Sequence, residues 1–126
     1  MATTLVEIAE GFLEIARTEA REGYDRRDER RIRDAAEKAW LAATQVVDHA
    51  MHVHGQMPPQ DPRDAHAARH RFLEDIGRRD LSRQLAYFAD RLHGTCCYIG
   101  RCPTRSVMDA ILDEADQYVA TFRAGV

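Results

Sequence analysis

The chain has 126 residues, with 18 basic and 21 acidic side chains and a formal net charge of −3 when the histidines are neutral. This length predicts one domain, residues 1–126, and the slightly acidic balance excludes gross basicity as a reason to expect nucleic-acid binding. At 44% hydrophobic and 31% charged residues, without a membrane-length apolar run or a secretory signal, the composition predicts a globular cytoplasmic protein with no membrane partner.

The first predicted helix begins near Thr4. Thr4-Leu-Val-Glu7 has the form of a capping box, in which the hydroxyl and the carboxylate each bind a free backbone N–H. Gly23 offers a stop. Apolar residues at helical spacing predict the inward face, and they are Leu5, Ile8, Ala9, Phe12, Ile15, Ala16 and Ala20.

A second, longer helix is predicted from Asp25 or Asp28 to His54, with Gly55 after it. Its alanine-rich stripe permits close approach by a neighbouring helix, and the aromatic residue within it suggests that this face joins two copies in a homodimer. The predicted inward residues are Ile32, Ala36, Ala39, Trp40, Ala43, Val47, Ala50 and Met51.

The proline-containing stretch 56–62 predicts an extended linker. A third helix follows from about Asp61 to His93, with a kink or turn at Gly77-Arg-Arg-Asp80. The stretch 94–103 predicts a loop or frayed turn, and a last helix runs from about Thr104 to Gly125. No segment alternates with period two, so we expect an all-α, antiparallel up-and-down bundle of four helices, or five if the third is split.

All three cysteines, Cys96, Cys97 and Cys102, fall in the predicted loop. An odd, crowded set disfavours a disulfide framework. With His93 they supply four nominal zinc ligands, but the paired spacing of a zinc knuckle is missing. We expect buried loop cysteines and no cofactor.

Four histidines flank the linker in two pairs of helical spacing. His49 and His52 are three residues apart, and His66 and His70 are four apart. Antiparallel neighbouring helices would bring both pairs to one end of the bundle, which makes a metal-binding bundle an alternative function. The Glu-x-x-His repeat of bundle metal sites is absent, so solvated histidines are the favoured interpretation.

His93 and Arg91 lie at the end of the third predicted helix, shortly before Tyr98. Histidine can act as a general acid or base at neutral pH, and arginine can hold a phosphate. A histidine that binds the end of its own helix is the structural alternative.

Trp40 is the sole tryptophan and is predicted to be a core or interface anchor. Glu37 precedes it and is a candidate partner for an arginine of another helix. We include both residues among the candidate ligand contacts.

Ala35-Ala-Glu-Lys-Ala-Trp-Leu-Ala-Ala43 resembles the signature of the archaeal PaREP family of small helical proteins. Ala89-Asp-Arg-Leu-His93 followed by Tyr98 resembles its Ala-x-x-Leu-His-x-x-x-Tyr segment, and His70-Arg-Phe-Leu73 resembles its His-x-x-Leu segment. Order and spacing agree over roughly residues 5–122.

That family is similar to the HEPN superfamily, whose members are helical bundles that often dimerise. The superfamily includes ribonuclease toxins and nucleotide-binding partners of nucleotidyltransferases. Its ribonucleases carry Arg-x(4–6)-His in the last core helix, whereas Arg91-Leu-His93 has one intervening residue; the Arg63 and His70 spacing fits, but beside the linker.

The resemblance thus implies a HEPN-like interaction module, nucleotide- or RNA-associated and of toxin–antitoxin type. Arg91, His93, Tyr98, Glu37 and Trp40 are its candidate ligand contacts. A metal-independent endoribonuclease with His93 as catalytic residue is the alternative.

Overall fold

The computed structural model describes residues 4–126, so the predicted domain start at Met1 lies outside the described residues. Within this range the chain is helical and has no strand. No helix of the described range is long and apolar enough to cross a membrane. The elements are α1 (Leu5–Arg26), α2 (Glu29–Val53), α3 (Pro62–Asp75), α4 (Arg79–Phe88), a π-helical segment (Ala89–Tyr98) that continues α4, and α5 (Arg105–Ala124).

The start of α1 confirms the hydroxyl half of the predicted capping box, because Thr4 Oγ1 accepts a hydrogen bond from the Glu7 backbone N–H at 3.1 Å. The Glu7 carboxylate contacts the Thr4 hydroxyl at 3.3 Å. The predicted stop at Gly23 is wrong. Gly23 is buried inside α1, where a Cβ would lie 2.7 Å from the Cγ1 atom of Ile32. The chain reverses instead at Arg27, which has a left-handed φ of 53°.

The third predicted helix is split, as the alternative allowed. Gly77 has a φ of +79° and ends the α3 turn, and the Arg78 N–H donates to the Leu73 carbonyl at 2.8 Å. The predicted loop at 94–103 is wrong over its first half, because the π-helical segment extends to Tyr98.

Ion pairs show the relative directions of the long helices. Lys38 of α2 bonds Glu19 of α1 at 2.5 Å, and Arg31, earlier in α2, pairs with Glu22, later in α1. These two helices are therefore antiparallel. The pairs Arg17–Asp113, Arg105–Asp25 and Arg123–Glu10 run in the same opposed order between α1 and α5.

The core lies around α2, whose alanine-rich face is buried within the chain itself. Ala36, Ala39 and Ala43 of the predicted stripe are buried, so the face that we expected to join two copies packs instead against the other helices of the bundle. The inward face predicted for α1 is partly confirmed, because Ala9, Ala16 and Ala20 are buried. Ile8 and Ile15 are instead 37% and 47% exposed, and Val6 and Leu13 are buried.

Candidate functional site

The π-helical segment places His93 against α2. A π-helix closes i→i+5 hydrogen bonds and has a wider turn than an α-helix. The buried residues Leu92 and Cys96 are four positions apart, and their neighbours His93 and Cys97 follow the same spacing along the side next to Glu37.

His93 Nδ1 lies 2.8 Å from Glu37 Oε2. An ionised carboxylate only accepts hydrogen bonds, so Nδ1 is the donor in this contact. The other ring nitrogen, Nε2, is then left to bind a ligand or to move a proton. The His93 and Glu37 side chains are 45% and 31% exposed, so the pair is reachable from solvent.

Trp40 connects His93 to a second group of imidazoles. Its ring stacks on His93 with centroids 5.6 Å apart and lies 6.0 Å from the ring of His66. His66 contacts His70 at 4.7 Å, and His70 Nδ1 is 2.6 Å from Ser82 Oγ. These contacts tie α2, α3, α4 and the π-helical segment together at one place.

The environment of His66 and His70 disfavours their charged forms. Burial is the main cause of the lowered pKa of His66, and the charges of His70, Arg69 and His93 lower it further. Burial also lowers the pKa of His70, an effect that Glu74 opposes. Both imidazoles are consequently biased toward the neutral form.

A cavity of about 620 Å³ opens beside these rings, between α2, α3, the π-helical segment and the proline linker. This volume is in the range of small-molecule sites. Trp40 is only 8% exposed and forms part of the floor. The lining residues are Trp40, Asp48, Pro58, Pro59, Gln60, Pro62, Arg63, Ala65, His66, Arg69, Ala89 and His93.

Two arginines of α3 line this cavity, and their environments differ. Arg69 binds Asp48 through Nε at 2.7 Å and Nη2 at 3.1 Å, and both side chains are largely buried. Within residues 4–126 the Arg63 side chain forms no ion pair. In that range the guanidinium of Arg63 therefore has no direct carboxylate partner, although its backbone N–H donates to Asp61 Oδ1 at 2.9 Å.

The cavity also shows what the sequence reasoning missed. The sequence singles out Arg63 only for its spacing to His70. It does not single out Arg69 or the prolines as site residues. The signal for Arg69 was its position one residue before His70 on the predicted α3. Its pairing with Asp48, 21 positions away, required the helix packing.

Arg91 does not join His93. Its guanidinium carbon lies 5.7 Å from the centre of the Tyr87 ring, whereas His93 contacts Glu37 and Trp40. Two residues of separation place these side chains on different sides of the helical segment. Tyr98 is 79% exposed, with its ring 6.4 Å from that of His93, and borders the site.

The cysteines depart from the sequence expectation, because Cys96 and Cys102 form a disulfide. Cys97 is free. Burial, together with the neighbouring Glu37, raises the pKa of the Cys97 thiol to about 11, so this thiol is protonated at neutral pH.

The four linker-flanking histidines do not gather around one point. His66 and His70 are in contact, but His49 lines a different depression, next to Thr4, Glu7 and Phe122. In the part of the chain that the structure describes, no three His, Cys, Asp or Glu side chains come together as ligands for one metal ion.

Comparison with known proteins adds no relative: no family model, no curated protein and no solved structure matches this chain.

Proposed function

We propose that the chain is a HEPN-like, up-and-down helical binding module whose cavity beside Trp40 and His93 takes a nucleotide or a short segment of RNA. The observation that carries this proposal is the combination of arginine and imidazole groups with flat apolar walls in one cavity. Phosphate is bound by arginine, imidazole and other hydrogen-bond donors, and a base packs against flat apolar groups.

The charges of the cavity favour an anion. Asp48 is neutralised by Arg69 through two hydrogen bonds. Arg63 then remains as a positive charge, with His66 and His93 as further nitrogen donors or acceptors. Pro58 and Pro59, on the linker, supply a rigid apolar wall at little cost in chain entropy.

Trp40 fluorescence tests the proposal directly, because Trp40 is the sole tryptophan and lines the cavity. Adenosine monophosphate and a six-nucleotide RNA are titrated separately into the full chain. We expect a saturable change for at least one of them, and Arg63→Gln is expected to weaken it about tenfold, or about 1.4 kcal/mol. Arg71→Gln is the matched control, since Arg71 lies on the same helix, is exposed and does not line the cavity.

The two probes separate the sources of the phosphate. Saturation by the mononucleotide identifies a nucleotide site, and saturation by the oligonucleotide alone identifies an RNA site. No saturable response to either probe at millimolar concentration, or equal affinities of Arg63→Gln and wild type, would refute the proposal.

A metal-independent endoribonuclease is a second candidate function, which the Glu37–His93 contact favours. A carboxylate that holds Nδ1 orients the imidazole and leaves Nε2 as an acid or base. RNA cleavage in excess EDTA is expected for the wild type and is expected to be lost in His93→Gln. Cleavage that survives in this variant would assign the activity to another group or to a contaminant.

The same proposal includes a homodimer, a nucleotidyltransferase or antitoxin partner, and a cytoplasmic location. The exposed apolar side chains of Ile8 and Ile15 on α1 support a protein contact there. Light scattering measures the mass: a dimer that Ile15→Glu dissociates is the expected result, and a monomeric wild type would contradict it.

A further inference from the structure

The C-terminal end of the π-helical segment is covalently tied to the chain that enters α5. Cys96, inside the segment, is bonded to Cys102, in the connection before α5. Cys96 is fully buried, whereas Cys102 is partly exposed and packs at the edge of the core. The disulfide therefore lies three positions after His93 on the same helical segment.

We propose that Cys96–Cys102 is a reversible redox site, and that its reduction by an external dithiol loosens the π-helical segment and displaces His93 from Glu37. The inference concerns the position of His93 and does not require that the cavity bind a nucleotide.

The coupling follows from the unusual geometry of the segment. π-Helices are rare and mostly a single turn long, yet this one spans ten residues. Such a backbone persists when its surroundings hold it in place. Its last turns are held by the disulfide, by the Ile99 N–H bond to the Gly94 carbonyl at 2.9 Å, and by Arg33, whose Nε donates to the Cys97 carbonyl at 2.7 Å.

An α-helical register is the nearby alternative for this segment. Narrowing of the wide turn moves each later side chain around the helix axis relative to Phe88. His93 and Cys97 share the side next to Glu37 in the π-helical register. Release of the covalent tie thus allows a change that separates His93 from Glu37 and from the Trp40 ring.

The neighbouring thiol of Cys97 does not exchange with the Cys96–Cys102 disulfide. The thiolate, not the thiol, attacks a disulfide, and burial with the nearby Glu37 carboxylate raises the pKa of Cys97 to about 11. Cys97 is therefore protonated at neutral pH and leaves the bridge intact. Reduction needs a dithiol from outside the chain.

Cys102 is partly exposed and Cys96 is fully buried, so Cys102 is the side of the bridge that an external reductant attacks. One thiolate of the external dithiol forms a bond to Cys102 Sγ, the Cys96–Cys102 bond breaks, and Cys96 leaves as a thiolate that takes up a proton. The second thiol of the reductant, as its thiolate, then attacks the reductant sulfur bonded to Cys102, and Cys102 leaves as a thiolate that takes up a proton. The chain gains two electrons and two protons, and the reductant becomes a cyclic disulfide.

The first experiment counts thiols in the full chain. The folded protein is oxidised in air, then unfolded and treated with an alkylating agent. We expect one label, on Cys97. Protein that is treated with dithiothreitol before the labelling is expected to take up three labels. Three labels without reductant would overturn the proposal, because the bridge would then not form.

The second experiment follows Trp40, which stacks on His93 at 5.6 Å and reports its departure. Reduction with dithiothreitol is expected to change the Trp40 emission and the His93 ring proton shifts, and reoxidation is expected to restore both. Cys102→Ser is expected to show the reduced spectrum without reductant. Cys97→Ser, the matched control, is expected to keep the redox response of the wild type.

A variant without the imidazole makes the readout specific. In His93→Asn the Trp40 emission is expected to be insensitive to reduction. If Cys102→Ser does not fold, the reduced wild type supplies the same comparison. Identical His93 and Trp40 signals in folded oxidised and reduced protein would show that the bridge does not control the site.

Discussion

His93 Nδ1 and Glu37 Oε2 are 2.8 Å apart, and this contact joins the π-helical segment to α2. The contact orients the imidazole of His93, with Nδ1 bound to the carboxylate and Nε2 directed away from it.

Glu37→Ala removes the acceptor that holds the His93 ring. We expect about a tenfold loss of nucleotide or RNA affinity in the Trp40 titration, with a loss of less than about 1 kcal/mol in the free energy of unfolding, because the pair is partly exposed. Glu37→Gln keeps an acceptor oxygen and is expected to lose less affinity. Equal affinities of wild type and Glu37→Ala would show that the contact is structural only.

Asp48→Asn leaves the Arg69 charge without its partner in a largely buried position. The Arg69 and Asp48 side chains are 15% and 17% exposed, and removal of one partner of a buried ion pair costs about 3 kcal/mol of unfolding free energy. Urea unfolding measures the change. The exposed pair Arg78–Asp80 is the control, and Asp80→Asn is expected to cost less than about 1 kcal/mol. Equal losses in the two variants would contradict this account.

The lowered pKa values of His66 and His70 predict a pH dependence of stability. The unfolded chain takes up protons on these residues near their ordinary pKa of 6.5, and the folded chain does so only at lower pH. The unfolded state therefore binds more protons in this window, and the protein loses stability as the pH falls below about 6.5.

Thermal unfolding between pH 7 and pH 5 measures this dependence. We expect the melting temperature to fall on acidification, with a smaller fall in the double variant His66→Asn, His70→Asn. His52→Asn is the control, because His52 is exposed. The carboxylates of Glu10 and Asp80 have lowered pKa values and titrate below this window. An unchanged slope in the double variant would be the contrary result.

Two glycines of α1 are expected to respond in opposite directions to alanine. A Cβ at Gly11 would meet no atom within 4 Å, so Gly11→Ala is expected to stabilise the protein by up to about 1 kcal/mol. A Cβ at Gly23 would lie 2.7 Å from Ile32 Cγ1 and 3.0 Å from the Ile32 backbone nitrogen. Gly23→Ala is expected to cost about 1–3 kcal/mol, and shifts of the urea midpoint in the same direction for both variants would be inconsistent with this packing.

Local signals in the sequence predicted the helices well. Thr4, Asp61 and Thr104 precede helices as predicted. The side chains of Thr4 and Asp61 cap the first turn of their helices, and Thr104 follows Pro103. Gly77 marks the split of the third predicted helix. Gly23 misled the prediction, because its small size serves a contact with α2 that only the tertiary packing creates.

The candidate site was only partly predictable. His93, Glu37 and Trp40 come together as candidates, but the partner of Glu37 is the histidine and not an arginine. Arg91 is not part of the site, because residues two positions apart on a helical segment point to different sides and Arg91 lies over the Tyr87 ring. The π-helical segment spans only ten residues and has no periodic pattern in the sequence that would predict it. The disulfide depends on the course of this segment, because Cys96 lies within it. The Arg69–Asp48 pair depends on the packing of α3 against α2.

The most direct test of the proposed nucleotide or RNA site is NMR of the histidine and tryptophan side chains. Adenosine monophosphate is added first, and then the six-nucleotide RNA. The account predicts saturable shifts at His66, His93 and the Trp40 indole, with little change at His49 and His52, which do not line the cavity. Shifts that are absent with both probes, or that are as large at His49 and His52 as at His93, would contradict it.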